Sequence, residues 1–250
     1  SKAKKSPTAF PNFIAKLYHN HFAYDKSLAT IVNMSLKIGL VGLPNVGKST
    51  LFNALTNGNI LAANYPFATI EPNTGIVPVP DERLGVLAAM YKTDKVVPAT
   101  VEFVDVAGLV EGASKGEGLG NKFLAIIREC DAICHVVRAF EASNVQHVSD
   151  QLNPKADIEV INTELMLADV STIENHLPKL SKEAKTDPKA RNSVEYLNSV
   201  QSELLAGKIP KYDREKLHGL DLLTAKPVIY LFNVDENGLT DQHQQEELSA

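Results

Sequence analysis

The segment Gly42-Leu43-Pro44-Asn45-Val46-Gly47-Lys48-Ser49-Thr50 fits the pattern GxxxxGK[ST], and it follows the apolar run Leu36 to Val41. A strand that enters a glycine-rich turn and leaves as a helix starts a P-loop domain, which restricts the fold to an α/β sheet built around that strand. The glycines let consecutive backbone N–H groups turn inward around a phosphate. Lys48 is spaced to reach the β and γ oxygens of a nucleotide, and the Ser49 hydroxyl to ligate Mg2+. Asn45, Val46, Gly47 and Thr50 complete the expected phosphate cradle. The helix from Lys48 to Thr56 carries Leu51, Phe52 and Leu55 as its apolar stripe and points its positive end at the phosphates.

At 250 residues the chain holds one large α/β domain, or one domain with a smaller insert. Its formal charge of -5 gives no global basic footprint, which disfavours nucleic acid as the main substrate and specific DNA as a partner. The two cysteines, Cys130 and Cys134, have no second pair or histidine at zinc-site spacing. They read as reduced core cysteines of a cytoplasmic protein. No run reaches the roughly 18 apolar residues of a membrane span, so no membrane partner is expected.

Residues 1–33 carry five lysines against the single acid Asp25, with no clear periodicity. An organelle transit peptide would favour arginine, of which this stretch has none, and the stretch Phe10 to Phe22 is too broken by polar residues for a signal peptide. Met34 lies two residues before the first strand. The segment 1–33 is therefore expected to be an upstream or appended extension without order.

From Met34 onward strand and helix patterns alternate, which predicts a mostly parallel sheet with helices on both faces. Expected strands are Leu36 to Val41, Thr74 to Val79, Thr100 to Val104, Ala132 to Val137 and Pro227 to Phe232. The run Asp81 to Tyr91 starts on an acidic cap and places Leu84, Leu87, Ala88 and Tyr91 on one face. Between Asp150 and Leu223 apolar residues recur at helical spacing in two runs, separated by Thr186-Asp187-Pro188. They predict an inserted α-helical hairpin at 150–220, flanked by the two parts of the nucleotide-binding domain at 34–149 and 221–250. Pro178 is expected to end or kink the first of the two helices.

The residues around the phosphates separate the P-loop classes. Asp105-Val106-Ala107-Gly108 puts an aspartate at the end of an apolar strand and a glycine three residues later. That spacing lets Asp105 hold Mg2+ through water, while the Gly108 N–H senses the γ-phosphate. Thr69 has the order and spacing of the switch threonine that completes the Mg2+ shell. Asn233-Val234-Asp235-Glu236 stands where such chains carry the NKxD base reader. Asn233, Val234 and Glu236 are the expected base contacts, but Val234 removes the lysine stem and Glu236 lengthens the guanine-reading carboxylate. Losing a bidentate buried contact removes several kcal/mol of discrimination, so ATP is expected to bind at least as well as GTP.

Leu109 stands where many switch proteins carry the glutamine that orients the attacking water. Catalysis then falls to Lys48, with His147 as a candidate approaching from the switch side and K+ beside Asn45 as a candidate positive charge. A nucleoside-monophosphate kinase is a weaker reading, because Arg128, Arg138, Arg191 and Arg214 are scattered rather than clustered in a lid.

GLPNVGKST, YPFATIEPNTG, DVAGLVEGASKGEGLGNKFL and NVDE, in this order, resemble the YchF/Obg-like ATPase family. The resemblance runs from about Met34 to the end. It implies a Ras-like, Obg-type P-loop domain with an inserted helical coiled-coil domain and, C-terminal to this chain, a TGS domain. It further implies phosphate binding at Asn45 to Thr50, Mg2+ at Ser49 and Thr69, base reading at Asn233 and Glu236, and association with the ribosome. The expected activity is slow, Mg2+-dependent hydrolysis of ATP, with GTP second, as a nucleotide-dependent switch in translation. The alternative is a nucleotide-gated binding module in which hydrolysis is incidental.

Overall fold

The apolar run Leu36–Val41 (β2) is a central strand of a six-stranded sheet in the computed structural model, which describes residues 13–18, 35–57, 73–106, 119–140, 152–236, 238, 240–241 and 246. The other strands are β1 (Phe13–Tyr18), β3 (Thr74–Pro78), β4 (Thr100–Asp105), β5 (Ala132–Arg138) and β6 (Val228–Asn233). Their order across the sheet is β1-β6-β5-β2-β4-β3. The interior pairs β2/β4, β2/β5 and β5/β6 are parallel, and the two outer pairs β3/β4 and β1/β6 are antiparallel. All of β5 is buried, as expected of a parallel strand covered on both faces.

Helices α1 (Lys48–Asn57), α2 (Glu82–Tyr91) and α3 (Leu119–Glu129) are local consequences of their sequences. The α1 residue Leu51 is buried, as are Phe123, Leu124 and Ile127 of α3, in one core with Ile38, Leu40 and Val104. Asp81 caps α2 by accepting from the Arg83 amide at 3.0 Å. The apolar face expected of α2 is not covered: none of its residues is buried, and Met90 and Tyr91 are 71% and 78% exposed. Helical spacing creates a stripe, but it does not supply a partner surface.

Between β5 and β6 the chain forms α4 (Pro154–Glu183) and α5 (Pro188–Leu205). The two are joined at Asp187, whose side chain caps α5. Gln201 donates to Glu174 at 3.1 Å, so positions on opposite sides of the turn meet and the helices run antiparallel. The α4 helix serves two cores. Its first half places Ile161, Leu165 and Ala168 in the sheet core, and its second half packs Ile173 and Leu180 against Ala190, Leu197, Val200 and Leu204.

Two expectations need correction. First, α4 does not end at Pro178 but continues to Glu183. Pro178 is exposed, and continuing the helix carries Leu180 to 1% exposure in the second core. That burial offsets part of the roughly 3 kcal/mol cost of an interior proline. Second, residues 13–18 of the extension are not without order. They pair antiparallel with β6, Phe13 opposite Asn233 and Tyr18 opposite Val228. A sheet edge presents unpaired N–H and C=O groups, and the β-rich sequence FIAKLY satisfies them.

Candidate functional site

The site is built where β2, β4, β5 and β6 end side by side. Val41 leads into the P-loop, and the buried Leu43 and Val46 anchor that loop to the core. A Cβ at Gly42 would lie 2.4 Å from the Val136 carbonyl oxygen of β5, so only glycine lets the loop pass so near the neighbouring strand. Gly47 has φ 103, and a Cβ there would meet the Asn233 amide nitrogen at 2.5 Å. Asn45 also adopts a positive φ, 62°, at the exposed turn of the loop. Asparagine tolerates that conformation better than most side chains.

Lys48 is 7% exposed, and its ammonium donates to the carbonyls of Gly42 and Leu43 at 2.8 and 2.7 Å. The charge thus lies folded under the loop. Burial pushes its pKa down to about 8, opposed by the carboxylate of Asp105. Next to it, Ser49 Oγ donates to Asp105 Oδ2 at 3.0 Å, bringing together a hydroxyl and a carboxylate from residues far apart in sequence. Two hard oxygen donors beside a phosphate-binding loop fit Mg2+, which takes oxygen ligands and keeps several waters.

From β6, Asn233 Nδ2 donates to the Val46 carbonyl at 3.0 Å, and the Asn233 carbonyl accepts from Ala139 at 2.8 Å. The asparagine therefore bridges the P-loop and the end of β5. Val234 is 4% exposed and packs with Val137, Ala139 and Phe232, so its side chain belongs to the core. Asp235 accepts from the Gly238 amide at 2.8 Å and closes the following turn. Glu236 is exposed at that turn, and Thr50 is exposed on α1.

The structure thus brings together Val46, Gly47, Lys48, Ser49, Asp105 and Asn233. Thr69, Gly108, Leu109 and His147 lie outside the described residues. Two further residues at this end of the sheet were not singled out from sequence. His135 of β5 is 2% exposed, faces Tyr230 with ring centroids 5.4 Å apart, and is held neutral, its pKa pushed down to about 3 by burial and by the charge of Lys48. Arg138 is 3% exposed; its Nε donates to the Phe140 carbonyl at 3.1 Å and its guanidinium lies 4.7 Å from the Phe140 ring centroid. The available signal was a histidine and an arginine inside the otherwise apolar strand AICHVVR. Cys130 and Cys134 are buried and free, with thiols raised by burial to about 11 and about 12, so neither is a nucleophile.

Residues 37–168 match the family described as 50S ribosome-binding GTPase. The chain is 54% identical over 215 residues to the ribosome-binding ATPase YchF of Pasteurella multocida (strain Pm70), covering 82% of this chain and 58% of that protein. It is 51% identical to the protein of the same name from Bacillus subtilis (strain 168), covering 83% of this chain and 59% of the relative. Among solved structures, the Schizosaccharomyces pombe YchF GTPase superposes with a TM-score of 0.69 at 39% identity, over 86% of this chain and 61% of that one. The chain spans a little under three fifths of the length of these curated relatives.

Proposed function

The chain belongs to the YchF family, and from that premise we propose that it binds ATP with Mg2+, hydrolyses it slowly, and acts in the cytoplasm as a nucleotide-dependent switch that associates with the ribosome. The observation that carries this reading is the Ser49 to Asp105 contact of 3.0 Å beside the buried Lys48. These residues offer a cation site and a phosphate-binding charge within one loop and one strand end.

In this reading the P-loop amides and Lys48 bind the β and γ oxygens, and the ammonium leaves its two loop carbonyls to do so. Ser49 and Asp105 hold Mg2+ from their two sides, and Thr69 completes that shell. When bound, Mg2+ neutralises charge that builds on the phosphate oxygens. Asn233 positions both the base and the loop, and Gly108 senses the terminal phosphate. K+ beside Asn45 and His147 from the switch side are the proposed aids to hydrolysis in place of a glutamine at Leu109.

The names of the relatives divide between ATPase and GTPase. The choice of ATP is supported by Val234, which is packed in the core and offers no lysine stem over the base. It is also supported by Glu236, which replaces the shorter aspartate at the guanine-reading position. The second reading, a nucleotide-gated binding module, is favoured by Leu109 alone. Single-turnover hydrolysis of MgATP with and without ribosomes separates them. A slow rate accelerated by ribosomes is expected, whereas tight binding with no turnover in either condition supports the module.

A further inference from the structure

We propose that the turn end of the α4 and α5 pair is a docking surface for the phosphate backbone of RNA, ribosomal RNA in the setting proposed above, on which this inference rests. Lys179, Lys182 and Lys185 recur every third residue along the end of α4 and into the turn, and Lys189 and Arg191 follow in the first turn of α5. All five are exposed. The only acids within this stretch are Glu183 and Asp187. Asp187 is already engaged, accepting from the Lys189 amide at 2.9 Å as the α5 cap.

Three observations separate this cluster from an ordinary solvated face. Among the described residues none of the five cations forms an ion pair, whereas Lys37, Lys216 and Lys226 elsewhere each pair with a carboxylate. The chain as a whole carries -5, so the cluster runs against the global charge. Cations at the end of α4 complement its dipole, but Lys189 and Arg191 stand at the positive end of α5, where they oppose it and no acid is present in the first turn. Local helix stability therefore accounts for the first group and not for the second.

The surface is also rigid and placed far from the nucleotide. Leu180 and Ala190, at 1% and 0% exposure, pack directly beneath it. The 30 residues of α4 span roughly 45 Å from the sheet core to the turn. The chemistry favours phosphate over a protein partner. No large hydrophobic residue is exposed from Ala168 to Leu204, so the apolar and aromatic anchors of a protein interface are missing there. Closely spaced lysines act as point charges for phosphates.

The test compares wild type with Lys185→Glu/Lys189→Glu, using Lys208→Glu/Lys211→Glu as a control of equal charge change. Affinity for purified ribosomes and for a short labelled RNA duplex is measured across a salt series, with ATP affinity and melting temperature alongside. The tip variant is expected to bind ribosomes and duplex at least about tenfold more weakly at low salt. Its log-log salt slope should fall by about 1.5, because each lost phosphate contact contributes about 0.7–0.9. ATP affinity and melting should match wild type, and the control should lose less. If wild type binds ribosomes and the tip variant keeps the same affinity and slope, the docking surface is wrong and the ribosome reading stands. If ribosome binding weakens but duplex binding does not, the contact is with protein and the RNA assignment is overturned. Wild type that does not bind ribosomes at all removes both.

Discussion

The side-chain amide of Asn233 donates to the Val46 carbonyl at 3.0 Å, joining the end of the last described strand to the middle of the P-loop. The approach is possible because Gly47 has no Cβ, which would stand 2.5 Å from that same nitrogen. One contact therefore couples the position of the base-side strand to the shape of the phosphate loop.

Gly47→Ala should separate binding from folding. The new methyl group meets Asn233, and φ 103 is costly for any residue with a Cβ, on the order of 1–2 kcal/mol. Nucleotide affinity is expected to fall by at least about tenfold, with a loss of stability of only about 1–2 kcal/mol. Isothermal titration and urea unfolding of the same preparation measure the two effects.

Asn233→Ala removes the bridge without the clash. The Val46 carbonyl loses its partner, at a net cost of about 1 kcal/mol, and the base loses a polar contact. ATP and GTP affinities should both drop, by a similar factor of about five to ten. A loss confined to one nucleotide would show that Asn233 selects the base rather than shaping the loop.

Lys48 makes nucleotide affinity depend on pH. Its pKa is about 8 in the folded, nucleotide-free chain against an ordinary 10.5. Between those values the unfolded chain keeps a proton that the folded chain has released, so folding stability rises with pH across that window. Binding a triphosphate has the opposite demand, because the phosphates favour the charged ammonium. Affinity should be flat below pH 8 and weaken by up to about tenfold per unit above it. Lys48→Arg, charged throughout, should abolish the slope, and a flat wild-type profile would contradict the buried position of the ammonium.

Asp169 holds the second half of the chain to α4. Fully buried, it accepts from the amides of Leu223 and Thr224, both at 2.8 Å, and from the Thr224 hydroxyl at 2.6 Å. These bonds fix the short 3-10 turn Leu223–Ala225 that leads into β6. Asp169→Ala leaves three donors without an acceptor and should cost about 3–5 kcal/mol. Asp169→Asn keeps part of the acceptor set and should cost less. Both are read from urea midpoints.

What could be read from the sequence was what local chemistry dictates. The strand before the P-loop, Lys48 and Ser49, Asp105 at a strand end, and the two helical runs broken at Pro188 all follow from motif spacing and period. What escaped depends on partners distant in the chain. The bond from Asn233 to Val46 spans 187 residues, and β1 reveals itself only once β6 presents an open edge. Tyr91 looks like a core residue in a helical stripe, yet it is 78% exposed because burial depends on what packs opposite. Pro178 is tolerated because Leu180 beyond it is buried, which a propensity argument cannot weigh. His135 gave a sign only as a polar break in an apolar strand.

The central claim is an ATP-preferring Mg2+ switch, and equilibrium titration of the protein with MgATP and MgGTP under identical conditions tests it most directly. The account predicts that ATP binds at least as tightly as GTP, since Val234 is packed in the core and Glu236 displaces the guanine-reading carboxylate. A GTP preference of about a hundredfold, the several kcal/mol expected of an intact guanine reader, would contradict it.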